Sequence, residues 1–149
     1  MSELRQQFET VLADFGQIAG CSLALDESNT CRIVFNGETD AELVYDDTTD
    51  RIRARVEVGR IDDDAAETGV SRRLLEAAGD PGVSRGCTLA LEKPTRMLVV
   101  RDRRPAAWLY TADRLAGWFQ RLLWVVGDIR ETVAAKEDVP DFHMYEIRV

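Results

Sequence analysis

From Arg51 to Val58 every second residue is apolar, with Ile52, Ala54, Val56 and Val58 on one side and Arg51, Arg53, Arg55 and Glu57 on the other. A two-residue period is the repeat of a β-strand, so this stretch requires a sheet with one buried and one wet face. It also requires partner strands and an apolar cover. Upstream, Cys31, Ile33 and Phe35 alternate with Arg32, Val34 and Asn36, and Ala41, Leu43 and Tyr45 alternate with Glu42 and Val44. Asn36-Gly37 signals a turn that polar residues extend to Asp40, and the polar run from Asp46 to Asp50 makes the next loop. Three strands joined by short polar loops read as an antiparallel meander, which Gly59 is expected to end.

The cover comes from helices. Ser2 can cap a first helix whose Leu4, Phe8, Val11, Leu12 and Phe15 form one stripe, ending around Gly16 to Gly20. Asp62, Asp63, Asp64 and Glu67 place acid at the start of a second helix, where carboxylates favour the positive end of the dipole. That helix runs through Leu74-Leu75-Glu76-Ala77-Ala78. Gly79 suits a left-handed terminating residue, and Pro81 bars the helix from resuming. After a polar loop, Cys87, Leu89 and Leu91 alternate with Thr88, Ala90 and Glu92 as a strand; Lys93-Pro94-Thr95 turns the chain into the apolar run Met97 to Val100, closed by Arg101 to Pro105. Thr111 can cap the last and strongest helix, striped by Leu115, Trp118, Phe119, Leu122, Leu123, Val126, Ile129 and Val133. Trp124 falls off that stripe and reads as the edge of a wide buried face, with an exposed contact site as the alternative. The expectation is an α+β fold in the order helix, three strands, helix, two strands, helix. Its twisted antiparallel sheet is packed with helices in one domain over residues 1–137, followed by a tail, 138–149, which Pro140 helps set apart from the last helix.

The residues offer little chemistry. With 45% hydrophobic and 31% charged residues the chain is that of a folded soluble protein, and its net charge of −8 opposes nucleic-acid binding. MSELRQQFET lacks the basic start and apolar core of a secretory signal, and no segment has the length of a membrane span, so a cytoplasmic location is expected. Cys21, Cys31 and Cys87 lack metal or redox spacing and read as reduced, mostly buried hydrophobes. The single histidine, His143, lies in the tail, far from a setting that could orient it as a base. Asp46, Asp47 and Asp50 lack the ligand pattern of an EF-hand and read as a solvated loop; Arg101, Arg103 and Arg104 read as a solvated turn. No catalytic residue, metal or cofactor is expected.

The stretch Leu74 to Leu91 carries a resemblance. Leu-Leu-Glu-Ala at Leu74 to Ala77, a loop with Gly86, and Thr-Leu-Ala-Leu at Thr88 to Leu91 resemble the helix end, glycine loop and strand of the Tir-chaperone (CesT-like) family of bacterial type III secretion. The start, FETVLADFGQIAGCSLALDESNTCRIVFNG, is similar to that family's first helix, leucine-rich connector and first strand, and the element order is the family's. The resemblance implies a homodimer formed through the second helix and the following strand, at Leu74, Leu75, Thr88, Leu89, Ala90 and Leu91. It implies a client, the unfolded N-terminal segment of a secreted effector, kept soluble and export-competent. The client would be received along the first helix at Leu4, Phe8 and Leu12 and the adjoining strands near Ile33, Phe35, Leu98 and Val100. The secretion ATPase is a further implied partner. The alternatives are a regulatory or scaffold domain of the same fold that delivers no cargo, and a small enzyme using carboxylates.

Overall fold

In a computed structural model that describes residues 2–61 and 69–135, the meander is β1 (Thr30–Phe35), β2 (Thr39–Asp46) and β3 (Arg51–Arg60), preceded by α1 (Glu3–Ala19). Then follow α2 (Val70–Gly79), a single turn α3 (Pro81–Ser84), β4 (Thr88–Glu92), β5 (Met97–Pro105), a 3-10 turn (Ala106–Trp108) and α4 (Ala112–Ala134). The five strands form one antiparallel sheet in the order β1-β2-β3-β5-β4, so β1 and β4 are its free edges.

Both expected caps are made: the hydroxyl of Ser2 accepts from the N–H of Arg5, and that of Thr111 from the N–H of Arg114. The alternating residues of the strands and the stripes of α1 and α4 meet in one core. Phe8, Leu12, Leu43, Tyr45, Ile52, Val56, Leu115, Leu122 and Ile129 are wholly buried in it. Burying stripes of this size on one sheet face is the main stabilising term, at roughly 25 cal/mol per Å2 of apolar surface covered.

Four local expectations are corrected. Gly59 does not end β3: the ladder pairs Glu57 with Val99 but Gly59 with Leu98, so Val58 is the extra residue of a bulge and the strand continues to Arg60. The Val58 carbonyl accepts from Arg130 Nε on α4 at 3.0 Å, and Arg130 Nη1 donates to the buried Thr39 hydroxyl at 3.0 Å. Gly79 is the last residue of α2 and is not left-handed. The chain instead turns extended at Asp80, whose carboxylate accepts from the N–H of Gly82, and Pro81 starts α3. Proline blocks the interior of a helix but fits its first turn, where no N–H is needed. The left-handed residues of this joint are Arg85 and Gly86. Finally, Arg101 to Pro105 is not a turn but the second half of β5, with Asp102 on the covered face opposite Ala54. The acidic run Asp62 to Glu67 and the tail beyond 135 lie outside the described residues.

Candidate functional site

Where α1 gives way to β1 the chain is held close. Gly20 caps α1 in a left-handed conformation, the N–H of Cys21 returns to the carbonyl of Gly16 at 2.8 Å, and a Cβ on Gly16 would lie 2.8 Å from the carbonyl oxygen of Cys21. Only glycine lets the connector lie this tightly on the helix. The connector sets Leu23 and Leu25 half-buried against the core. Phe15 and Phe35 lie edge-on to the buried ring of Phe119, with centroids 5.0 and 5.2 Å away. These residues form an apolar rim that is partly covered and partly open; Leu4, about three turns earlier on α1, is likewise half-buried, and Ile18 is 75% exposed. The rim runs next to β1, whose outer edge has no strand partner. A half-open apolar groove beside unpaired backbone N–H and C=O groups can accept an added strand and pocket its alternate side chains.

Of the seven residues expected along this groove, Phe8, Leu12, Leu98 and Val100 are buried to 3% exposure or less within the single chain, and Ile33 to 8%. All five are sealed inside the single chain, and Leu98 and Val100 lie on β5, which β2 and β3 separate from β1, so these two do not adjoin this groove as expected. Leu4 and Phe35 keep open surface. The rim residues missing from that expectation are Phe15, Ile18, Leu23 and Leu25. The apolar letters of Cys21 to Leu25 signalled the connector, but not that Gly16 lets it fold back on α1.

The six residues expected at a dimer contact divide similarly. Leu74 and Leu89 pack against the core, Leu75 is 75% exposed, Leu91 and Thr88 are exposed, and Ala90 is half-buried on the edge strand β4. Trp124 is 53% exposed, against the wide buried face expected for it, and the guanidinium of Arg85, just past α3, sits 4.9 Å from its ring centroid. Trp108 and Tyr110 are exposed too, and Arg114 covers the Tyr110 ring at 4.5 Å. The cysteines correct the expectation of mostly buried thiols, since Cys31 is buried, Cys87 half-buried and Cys21 exposed.

The polar clusters are structural in their bonding. Asp47 accepts from Arg5 Nη1 at 3.1 Å and from Asn29 at 2.7 Å; Asp50 accepts from the hydroxyls of Ser2 and Tyr45, so the β2–β3 loop anchors the start of α1. Burial and that bond to Asp50 push the Tyr45 hydroxyl up to about 12. On the outer sheet face Glu92 accepts from Arg55 Nε at 2.9 Å and from Arg101 Nη2 at 2.7 Å, which holds its carboxyl down at about 2. Among the described residues no group of His, Cys, Asp and Glu side chains is arranged to hold a metal ion, and no helix is long and apolar enough to cross a membrane. His143 lies outside the described residues.

Residues 10–122 match the model of the Tir chaperone protein (CesT) family. Comparison with curated proteins returned no sequence match. Among solved structures, a chain of the HopA1–SchA chaperone–effector complex is 20% identical with a TM-score of 0.71, over 88% of this chain and 98% of that one. A chain of the ExsC–ExsE complex is 16% identical with a TM-score of 0.68, over 90% and 100%. A chain of the heterodimeric ExoU–SpcU complex from the type III secretion system of Pseudomonas aeruginosa is 20% identical with a TM-score of 0.60, over 85% and 97%. At these identities the likeness is one of fold.

Proposed function

The chain belongs to the Tir chaperone protein (CesT) family, and on that premise we propose that it is a cytoplasmic homodimeric chaperone for an effector of type III secretion. It binds the unfolded N-terminal segment of that effector and keeps it soluble and competent for export. The observation that carries this reading is the open apolar rim of Phe15, Leu23 and Phe35 beside the unpaired edge of β1. An extended segment supplies what both lack, backbone groups for the edge and alternate apolar side chains for the rim. The binding role requires no catalytic group. The secretion ATPase is the further partner to which a loaded dimer is presented.

The test is co-purification of the chain from its native organism, followed by identification of the bound protein and pull-down of that protein's N-terminal fragment. The fragment should lack regular secondary structure by circular dichroism when alone, and should bind as an extended segment that the chain shields from protease. A partner that binds only as a folded domain would favour the scaffold reading, and turnover of a small molecule by the purified chain would favour an enzyme.

A further inference from the structure

The face of the sheet turned away from α1 and α4 carries charge of the opposite sign to the chain as a whole. The protein's net charge is −8, yet Arg53, Arg55, Arg101 and Arg103 line one open cleft of about 800 Å3 on this face. Of the acids that line or adjoin the cleft, Glu92 is held by Arg55 and Arg101, Glu57 lies 3.7 Å from Arg55, Glu42 lies 3.5 Å from Arg32, and Asp102 is held by Trp118 and Arg104; Asp40 and Asp46 stand on the same face outside the cleft. Arg53 and Arg103 stand directly opposite each other in the β3–β5 ladder, both exposed, and neither has a carboxylate partner among the described residues. Like charges placed directly across a rung are destabilising. Nothing in the packing of the fold needs guanidinium groups at these two positions.

We propose that this cleft binds an extended acidic peptide segment, with carboxylates on Arg53 and Arg103. The occupant follows from the chemistry of the lining. Two free guanidinium groups can each grip a carboxylate through paired N–H donors, and the cleft's remaining walls include the small or uncharged Val44, Gly86 and Thr88. Alternate side chains of an extended strand project to one side about 6.8 Å apart, so carboxylates at every second position would present one row to the face. A nucleic acid is disfavoured, since two free cations on a chain of charge −8 release few counterions. The acidic surface elsewhere would repel such a segment and steer it here. That the segment belongs to the client rests on the function proposed above; that the face takes carboxylates does not.

The experiment uses the full chain and a fluorescent peptide with Glu at alternate positions, its Gln counterpart and an oligothymidylate of equal length. The Glu peptide should bind, weaken with added salt, and exceed the Gln peptide by about tenfold, the effect of one well-placed charge pair. R53Q/R103Q should lose that tenfold while melting no lower than the parent, because a repulsive rung has been removed. The Glu–Gln comparison uses the parent protein and so stands if the double variant fails to fold. Equal binding of the two peptides, unchanged binding by R53Q/R103Q, or equally tight oligothymidylate would overturn the proposal. So would loss of a dimer on sedimentation of R53Q/R103Q, which would make the face a contact between copies. Should a client fragment bind through the apolar rim while the Glu peptide does not bind, this inference fails and the chaperone reading stands.

Discussion

The indole Nε1–H of Trp118 donates to Oδ2 of Asp102 at 2.9 Å, tying the first half of α4 to β5. Asp102 is the one acid in the run Arg101-Asp102-Arg103-Arg104. Its side chain is only 8% exposed, and its other contact is Arg104 at 3.1 Å. A carboxylate on the covered face of a sheet is tolerated because an indole N–H and a guanidinium both point at it.

Replacing Asp102 with Ala leaves the Trp118 N–H buried without an acceptor. Such a group costs about 1–3 kcal/mol, so the urea midpoint of Asp102→Ala should fall accordingly. Asp102→Asn keeps an acceptor and should fall less. Equal midpoints for Asp102→Ala and the parent would mean the bond contributes nothing.

Glu92 sets an acid-side dependence. Its carboxyl is held near 2 by bonds from Arg55 and then Arg101, below the ordinary 4.5 of an unfolded chain. A folded value below the unfolded one stabilises the fold at pH above about 4.5, and that contribution is lost as pH falls toward about 2. The pair is part-exposed, so its worth is about 0.5–1 kcal/mol. Glu92→Gln should therefore be less stable than the parent at neutral pH, with the gap in denaturant midpoints closing through this window. A gap that stayed constant from neutral to about pH 2 would contradict it.

The three thiols should react unequally. Cys21 is exposed, whereas burial pushes the thiol of Cys87 up to about 11 and raises that of Cys31. A thiol reagent at mildly alkaline pH should modify Cys21 fast and the other two slowly, since the thiolate is the reacting form. Mass spectrometry of partly labelled protein, with all three labelled after denaturation, checks the order.

The strands and helices were legible where one periodicity ran unbroken: Ile52 to Val58 announced a strand, and Leu115 to Ile129 a helix. The Arg101 to Pro105 half of β5 was not, because four charged residues mask a strand whose inward Asp102 is satisfied by Arg104 and by Trp118, sixteen residues on. The α3 turn was missed because Pro81 both stops one helix and starts the next. Leu4, Phe8 and Leu12 lie on α1, and Ile33 and Phe35 on β1, as their periodicity indicated. It could not say which are buried and which keep open surface, since stripe membership does not encode depth. Phe8 and Leu4 share one stripe, yet one is sealed and the other open.

The proposed dimer can be tested at Leu75 and Ala90. Leu75 is 75% exposed on α2, and Ala90 lies on the free edge strand β4, so neither position is needed for the core of one chain. Sedimentation should give twice the chain mass at micromolar concentration. Leu75→Glu with Ala90→Glu should return it to one chain mass without loss of helix by circular dichroism. An unchanged dimer would place the interface elsewhere.

Leu4 and Phe8 separate fold from function on one helix. Phe8 is 1% exposed and packs with its centroid 5.9 Å from the Tyr45 ring, so Phe8→Ala should cost about 3–5 kcal/mol of stability through the cavity it leaves. Leu4, half-buried near the start of α1, should lose little stability on truncation, but as a client anchor it should weaken binding of an effector N-terminal fragment by about 1–3 kcal/mol. Thermal melting and pull-down of both variants make the comparison. The expected result is a strong melting loss for Phe8→Ala and a strong binding loss with near-parent melting for Leu4→Ala. If Leu4→Ala binds the fragment as tightly as the parent, the client does not run along this end of α1.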